Sequence, residues 1–107
     1  MSADAVLAEL PVQPDAYAVR LVRGVDANRV EIDALLSKTS EHWTLDRMPA
    51  VDRAVLRMGG YELGWEPDLA TAIIIDEAVE LARRFSTKES GRFVNALLAR
   101  MAEAFRS

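Results

Sequence analysis

The chain has 107 residues, half of them hydrophobic, which suits one domain with a buried core and is too apolar for a disordered tail. It contains no cysteine, which excludes a disulfide framework, a thiolate metal site and a thiol nucleophile, and its single histidine, His42, cannot build a metal site alone. A formal charge of -4 at pH 7 excludes a protein that holds a nucleic-acid duplex by diffuse phosphate attraction, so any nucleic-acid site has to be local.

The chain opens with MSADAVLAELP, which carries acidic residues and no basic cluster, so it does not read as a signal peptide. No apolar run approaches membrane-spanning length, and the expected location is the cytoplasm. Residues 1–13 are expected to form a weak helix over 2–10, with Ser2 as N-cap, followed by a connector in which Pro11 and Pro14 deny backbone donors. Residues 14–39 then predict one long helix. Ala18, Leu21, Val22, Val25, Ile32, Leu35 and Leu36 keep helical spacing through Gly24, which marks either a close crossing or a bend.

Residues 39–49 read as a junction with Trp43, Leu45 and Met48 buried, and residues 49–107 as a C-terminal helical subdomain. Its first helix starts near Pro49, a residue suited to a first turn, and ends near Gly64. Val51, Ala54, Val55, Met58 and Leu63 are expected on its buried face, with Asp52, Arg53 and Arg57 opposite. Residues 72–75 alone would suit a buried strand. Ile74, Ala78, Leu81, Ala82 and Phe85 nevertheless recur at helical spacing, and no second β-rich run exists to pair with. Thr87 is expected to cap the last helix, whose apolar stripe is Val94, Leu97, Leu98, Met101 and Phe105. The sum is an all-α bundle.

Catalytic templates fail on residue type or spacing: there is no GxxxxGK[ST] loop, GxSxG elbow, HExxH pair or Cys/His pair. No enzymatic activity, metal or cofactor is expected. Gly59 and Gly60 fall mid-helix and suggest tight packing. Asp76 with Glu77, and Asp68, suit a helix start better than acid/base work. His42 reads as a packed junction residue, and Tyr61 with Trp65, four residues apart, as packing. The mixed charges of Asp52, Arg53, Arg57 and Glu62 are either a solvated surface or a partner surface.

Residues 87–95, TKESGRFVN, differ in kind. A helix N-terminus offers free N–H groups and partial positive charge to an anion. Lys88 and Arg92 add charge there, Phe93 a stacking plane and Asn95 a base-edge partner. The plainer alternative is a capped helix with Phe93 in the core and Asn95 bonded to backbone, and on composition alone that alternative leads.

Three stretches tilt the balance: LDRMPAVDRAVLRMGGYEL at 45–63, AIIIDEAVELARRF at 72–85 and ESGRFVNALL at 89–98. In order and separation they resemble the NusB family of transcription antitermination factors, and the WTLDR form at 43–47 is similar to its actinobacterial members. The resemblance implies a NusB-like helical fold that binds boxA-type single-stranded RNA together with ribosomal protein NusE, within the transcription elongation complex, supporting processive transcription of ribosomal RNA operons. It implies an RNA surface at Lys88, Glu89, Ser90, Arg92 and Phe93, and a NusE-facing surface at Asp52, Arg53, Arg57 and Glu62.

Glu89 replaces the family's Asp, and Ala96 its Gly after FVN. The family's N-terminal Arg-rich helix finds no counterpart, so the expected form is truncated at the N-terminus, with residues 2–10 matching the second helix. Weak boxA affinity without NusE follows, as does a possible homodimer hiding the uncovered strip of the long helix. Two alternatives stay open. One is an accessory RNA-binding module like the front domain of ribosomal RNA cytosine methyltransferases, and the other an interaction module without RNA binding.

Overall fold

A computed structural model describes residues 16–40 and 44–106. The expectations for residues 2–10, the 1–13 connector, His42 and Trp43 lie outside those residues. Five α-helices follow in order: α1 Ala16–Ala27, α2 Arg29–Thr39, α3 Ala50–Trp65, α4 Thr71–Phe85 and α5 Lys88–Arg106, with a 3₁₀ turn at Leu45–Arg47 before α3. No strand occurs among the described residues, so the isoleucine run lies in the first turn of α4. None of these helices is long and apolar enough to cross a membrane.

Helices α3, α4 and α5 pack against one another in pairs, while α1 and α2 lie across α3 and α2 also reaches α5. At the centre Ile32, Leu36, Leu56, Leu63, Ile74, Val94, Leu98 and Met101 are sealed from solvent. Each such side chain contributes about 1.5–3 kcal/mol of burial. The α5 stripe is the expected one, with Phe105 half-buried at its end. In α3 the phase differs: Asp52, Val55, Leu56, Gly59, Gly60 and Leu63 face inward, whereas Ala54 is exposed. In α4 the helical spacing is as expected, but only Ile74, Ala78 and Ala82 are buried, and Leu81 and Phe85 are 38% and 63% exposed. The small alanines let α4 lie close to its neighbours, and the larger residues flank that contact.

The expected long helix is two helices. Asn28 leaves helical geometry at φ -112°, ψ 15°, and its side-chain amide donates to Gly24 O at 2.9 Å while its backbone N–H donates to the same oxygen at 3.1 Å. Asn competes for backbone partners in this way. The break costs little hydrogen bonding, since Ile32 N still reaches Asn28 O at 3.0 Å. Ile32 and Leu36 on α2 enter the core fully, while α1 has no fully buried residue and touches the core through Leu21 and Val25.

The seam between α3 and α5 depends on missing side chains. A Cβ on Gly59 would stand 2.9 Å from Leu98 Cδ1, and one on Gly60 2.6 Å from Met101 Cε. At the end of α3, Trp65 stacks on Tyr61 with ring centroids 6.1 Å apart and meets Phe105 edge-on at 5.4 Å. The aromatic pair is core packing.

Candidate nucleic-acid interface at the start of the closing helix

Thr87 caps α5 as the sequence suggested, and its partner is Ser90. Thr87 N–H donates to Ser90 Oγ at 3.3 Å and Ser90 N–H donates back to Thr87 Oγ1 at 3.2 Å, a reciprocal box with serine in the usual place of glutamate. The Ser90 hydroxyl donates to Asp52 Oδ2 at 2.8 Å and lies 3.0 Å from the hydroxyls of Ser86 and Thr87. Asp52 and Ser90 are each only 3% exposed. This bond therefore ties the first turn of α5 to the first turn of α3 across 38 residues of sequence, and it fixes where the exposed residues of α5 point.

Around this anchor lies a cleft of about 520 Å³ lined by Thr87, Glu89, Ser90, Arg92 and Phe93 with Pro49 and Asp52 from the start of α3. Glu89 and Arg92 are exposed, and Phe93 is half-buried with its inner edge on the core. Lys88 is exposed on the same turn, outside the lining. Chemically the cleft combines the positive end of a helix, a guanidinium, an aromatic ring and carboxylate acceptors. That set accommodates a phosphate beside an unstacked base. Asn95 faces a different groove, between α4 and α5.

The four charged residues expected on the outer face of α3 do not form one open surface. Asp52 belongs to the buried anchor, because its position repeats that of Val55, Leu56 and Gly59 at helical spacing. Its Oδ1 is buried without a hydrogen-bond partner. Arg53 donates to Leu45 O at 2.9 Å, holding the 3₁₀ turn. Arg57 grips Asp33 of α2 with two bonds of 2.9 and 3.0 Å. Glu62 accepts from the Tyr17 hydroxyl of α1, and burial raises its carboxyl above the usual range, with Glu77 and Glu66 adding to the rise and the Tyr17 bond opposing it. Burial and the same bond push the Tyr17 hydroxyl up strongly.

Sequence reasoning missed Asp33 and Tyr17 as partners, since both lie on helices whose crossing it did not fix. It also placed Asp52 and Ser90 in separate surfaces, where the structure joins them. Ser90→Ala removes the cap's return bond and the donor to a buried carboxylate. We expect a loss of about 2 kcal/mol, measured as a lower midpoint in urea unfolding. A change below about 0.5 kcal/mol would contradict the anchor.

Comparison with known proteins places these features in context. The sequence profile of the NusB family matches residues 2–103. The transcription antitermination protein NusB of Saccharopolyspora erythraea is 60% identical over 87 residues, covering 80% of this chain and 59% of that protein. The protein of the same name from Sorangium cellulosum is 47% identical over 97 residues, covering 89% and 69%. Among solved structures, NusB of T. maritima superposes with a TM-score of 0.86 at 38% identity, covering 98% of this chain and 77% of that one. The chain spans about three fifths of the length of the actinobacterial relatives it matches.

Proposed function

The chain belongs to the NusB family, and from that premise we propose that it acts in transcription antitermination by binding boxA-type single-stranded RNA together with ribosomal protein NusE. Its role is binding and scaffolding within the elongation complex on ribosomal RNA operons, and it catalyses no reaction. The observation that carries this reading is the cleft at the α5 N-terminus, which gathers Glu89, Arg92 and Phe93 around a helix start whose direction is fixed by Ser90 and Asp52. Arg92 and exposed Lys88 take phosphates, Phe93 stacks a base, and Glu89 accepts from a base amino group. Ser90 acts here as a positioning residue.

NusE is assigned to the α3 side, where Arg53, Arg57 and Glu62 are half-buried and keep an edge open. Asp52, buried, supports that side from within. RNA binding by the chain alone is expected to be weak and strengthened by NusE, because the net charge of -4 works against phosphate attraction at long range.

The test is an anisotropy titration of boxA RNA with the chain alone and with NusE present. Lys88→Ala with Arg92→Ala is expected to leave the thermal midpoint unchanged and to weaken binding about tenfold in the NusE complex, with the salt slope falling by about 1.4 for two lost phosphate contacts. Unchanged affinity in that complex would return the start of α5 to a purely structural role.

A further inference from the structure

Between α4 and α5 runs a second groove, of about 420 Å³, which the reading above leaves unused. Arg83 of α4 lies flat across Gly91 of α5: a Cβ at position 91 would stand 3.0 Å from Arg83 Nε and 3.1 Å from its Cγ. The next residue, Arg92, lines both this groove and the α5 cleft. Arg83 and Arg92 thus line one groove, and Arg92 is common to that groove and the cleft. Asp76 and Glu80 line the same groove, yet neither pairs with Arg83 or Arg92. Asn95, one turn beyond Gly91, is exposed in the groove with no hydrogen-bond partner among the described residues.

Two arginines lining one groove, neither in an ion pair among the described residues, are suited to take an anion, and their planar donor forks match phosphate oxygens. The carboxylates of Asp76 and Glu80 repel phosphate from the α4 wall on the N-terminal side of Arg83. A strand in the groove has to keep its backbone on the arginine side and turn its bases toward the acceptors and the Asn95 amide, an arrangement suited to amino-bearing bases. We infer that a single-stranded RNA seated in the α5 cleft continues over Arg92 into this groove, with one phosphate held between Arg83 and Arg92 and the following base read by Asn95. This rests on the RNA reading above and adds Arg83 and Asn95 to it.

Four- and eight-nucleotide single strands of one mixed sequence, titrated against the full chain at low salt, separate the two ideas. The eight-mer is long enough to enter both cavities. It is expected to bind about tenfold tighter than the four-mer, and Arg83→Gln with Asn95→Ala is expected to cut that gain to below about threefold. The four-mer affinity should stay within about twofold, and the salt slope for the eight-mer should drop by about 0.7 for one lost phosphate contact. Both substitutions are at exposed positions, and circular dichroism checks that the fold is kept. A full length gain in the double variant, or an equal loss for both lengths, overturns the groove while leaving the cleft standing. No binding of either length to the unsubstituted chain overturns both.

Discussion

Replacing Arg106 with Gln is expected to destabilise the protein by about 3 kcal/mol, lowering its thermal midpoint by roughly 10–20 °C. Although it ends α5, Arg106 serves α3. Its Nε donates to Leu63 O at 2.9 Å, its Nη2 to Glu62 O and Glu66 O at 3.2 and 2.9 Å, and its Nη1 to Leu69 O at 2.6 Å and Thr71 Oγ1 at 3.1 Å. Carbonyls in the last turn of a helix have no partner within it and carry the negative end of its dipole, so a cation that satisfies several of them stabilises both.

Each bond from a charged donor is worth about 1.5–3 kcal/mol, but the five share one side chain and water can replace some of them, so the sum is far below five times that value. Arg106→Lys should recover less than half of the loss, because a compact ammonium cannot span acceptors placed around a planar fork. Arg100, whose Nη1 reaches Thr39 O at 2.9 Å on the exposed surface, is the control, with Arg100→Gln expected to cost about 0.5 kcal/mol. Calorimetric scans of the three variants check the order. A loss at Arg106 no larger than at Arg100 would mean that the turn between α3 and α4 holds itself.

How far the sequence carried these conclusions depended on the element. The α5 stripe was legible because Val94, Leu97, Leu98 and Met101 are its only apolar run and their period fixes one face. In α3 apolar residues occur nearly all round, so Ala54 and Leu56 were interchangeable by pattern, and only the fold shows Leu56 sealed in the core and Ala54 exposed. Leu81 and Phe85 obey the α4 period yet sit at the edge of a contact narrowed by Ala78 and Ala82, a property of distance between helices which periodicity does not encode. The break at Asn28 was hidden because the apolar spacing runs through it in phase. At the start of α5 the cap at Thr87 was legible in the sequence, where composition alone favoured a plain capped helix and only the family motif favoured an RNA surface. The link from Ser90 to Asp52 stayed invisible, because a side-chain bond across 38 residues leaves no local trace.

Gly24→Ala should have the opposite sign from its effect in an isolated helix. There the substitution stabilises by about 1 kcal/mol, since alanine loses less backbone entropy than glycine. In this fold a Cβ at position 24 would stand 2.2 Å from Cε1 of Tyr61, 2.4 Å from its Cζ and 2.8 Å from its hydroxyl oxygen. The ring has little room to yield. Tyr61 is 6% exposed, stacks on Trp65, and donates its hydroxyl to Glu66 Oε2 at 2.7 Å, while the same carboxylate oxygen meets Arg20 of α1 at 3.0 Å.

Either α1 lifts from α3, losing the packing of Leu21 and Val25, or Tyr61 leaves its rotamer and its bond. Overpacking of this kind costs about 1–3 kcal/mol, and set against the helical gain of about 1 kcal/mol it leaves a net destabilisation of up to about 2 kcal/mol. The cause is separable from a general dislike of substitution at position 24. Tyr61→Leu removes the three atoms in the way, so in that background Gly24→Ala should be neutral or stabilising by up to about 1 kcal/mol. The coupling between the two sites would then be up to about 3 kcal/mol, at the top of the range for residues in contact. Urea unfolding of the four proteins in this cycle measures it. A stabilising Gly24→Ala in the unsubstituted chain would mean that α1 does not rest on Tyr61, and the bonds from Tyr17 and Arg20 to Glu62 and Glu66 would lose their geometric basis with it.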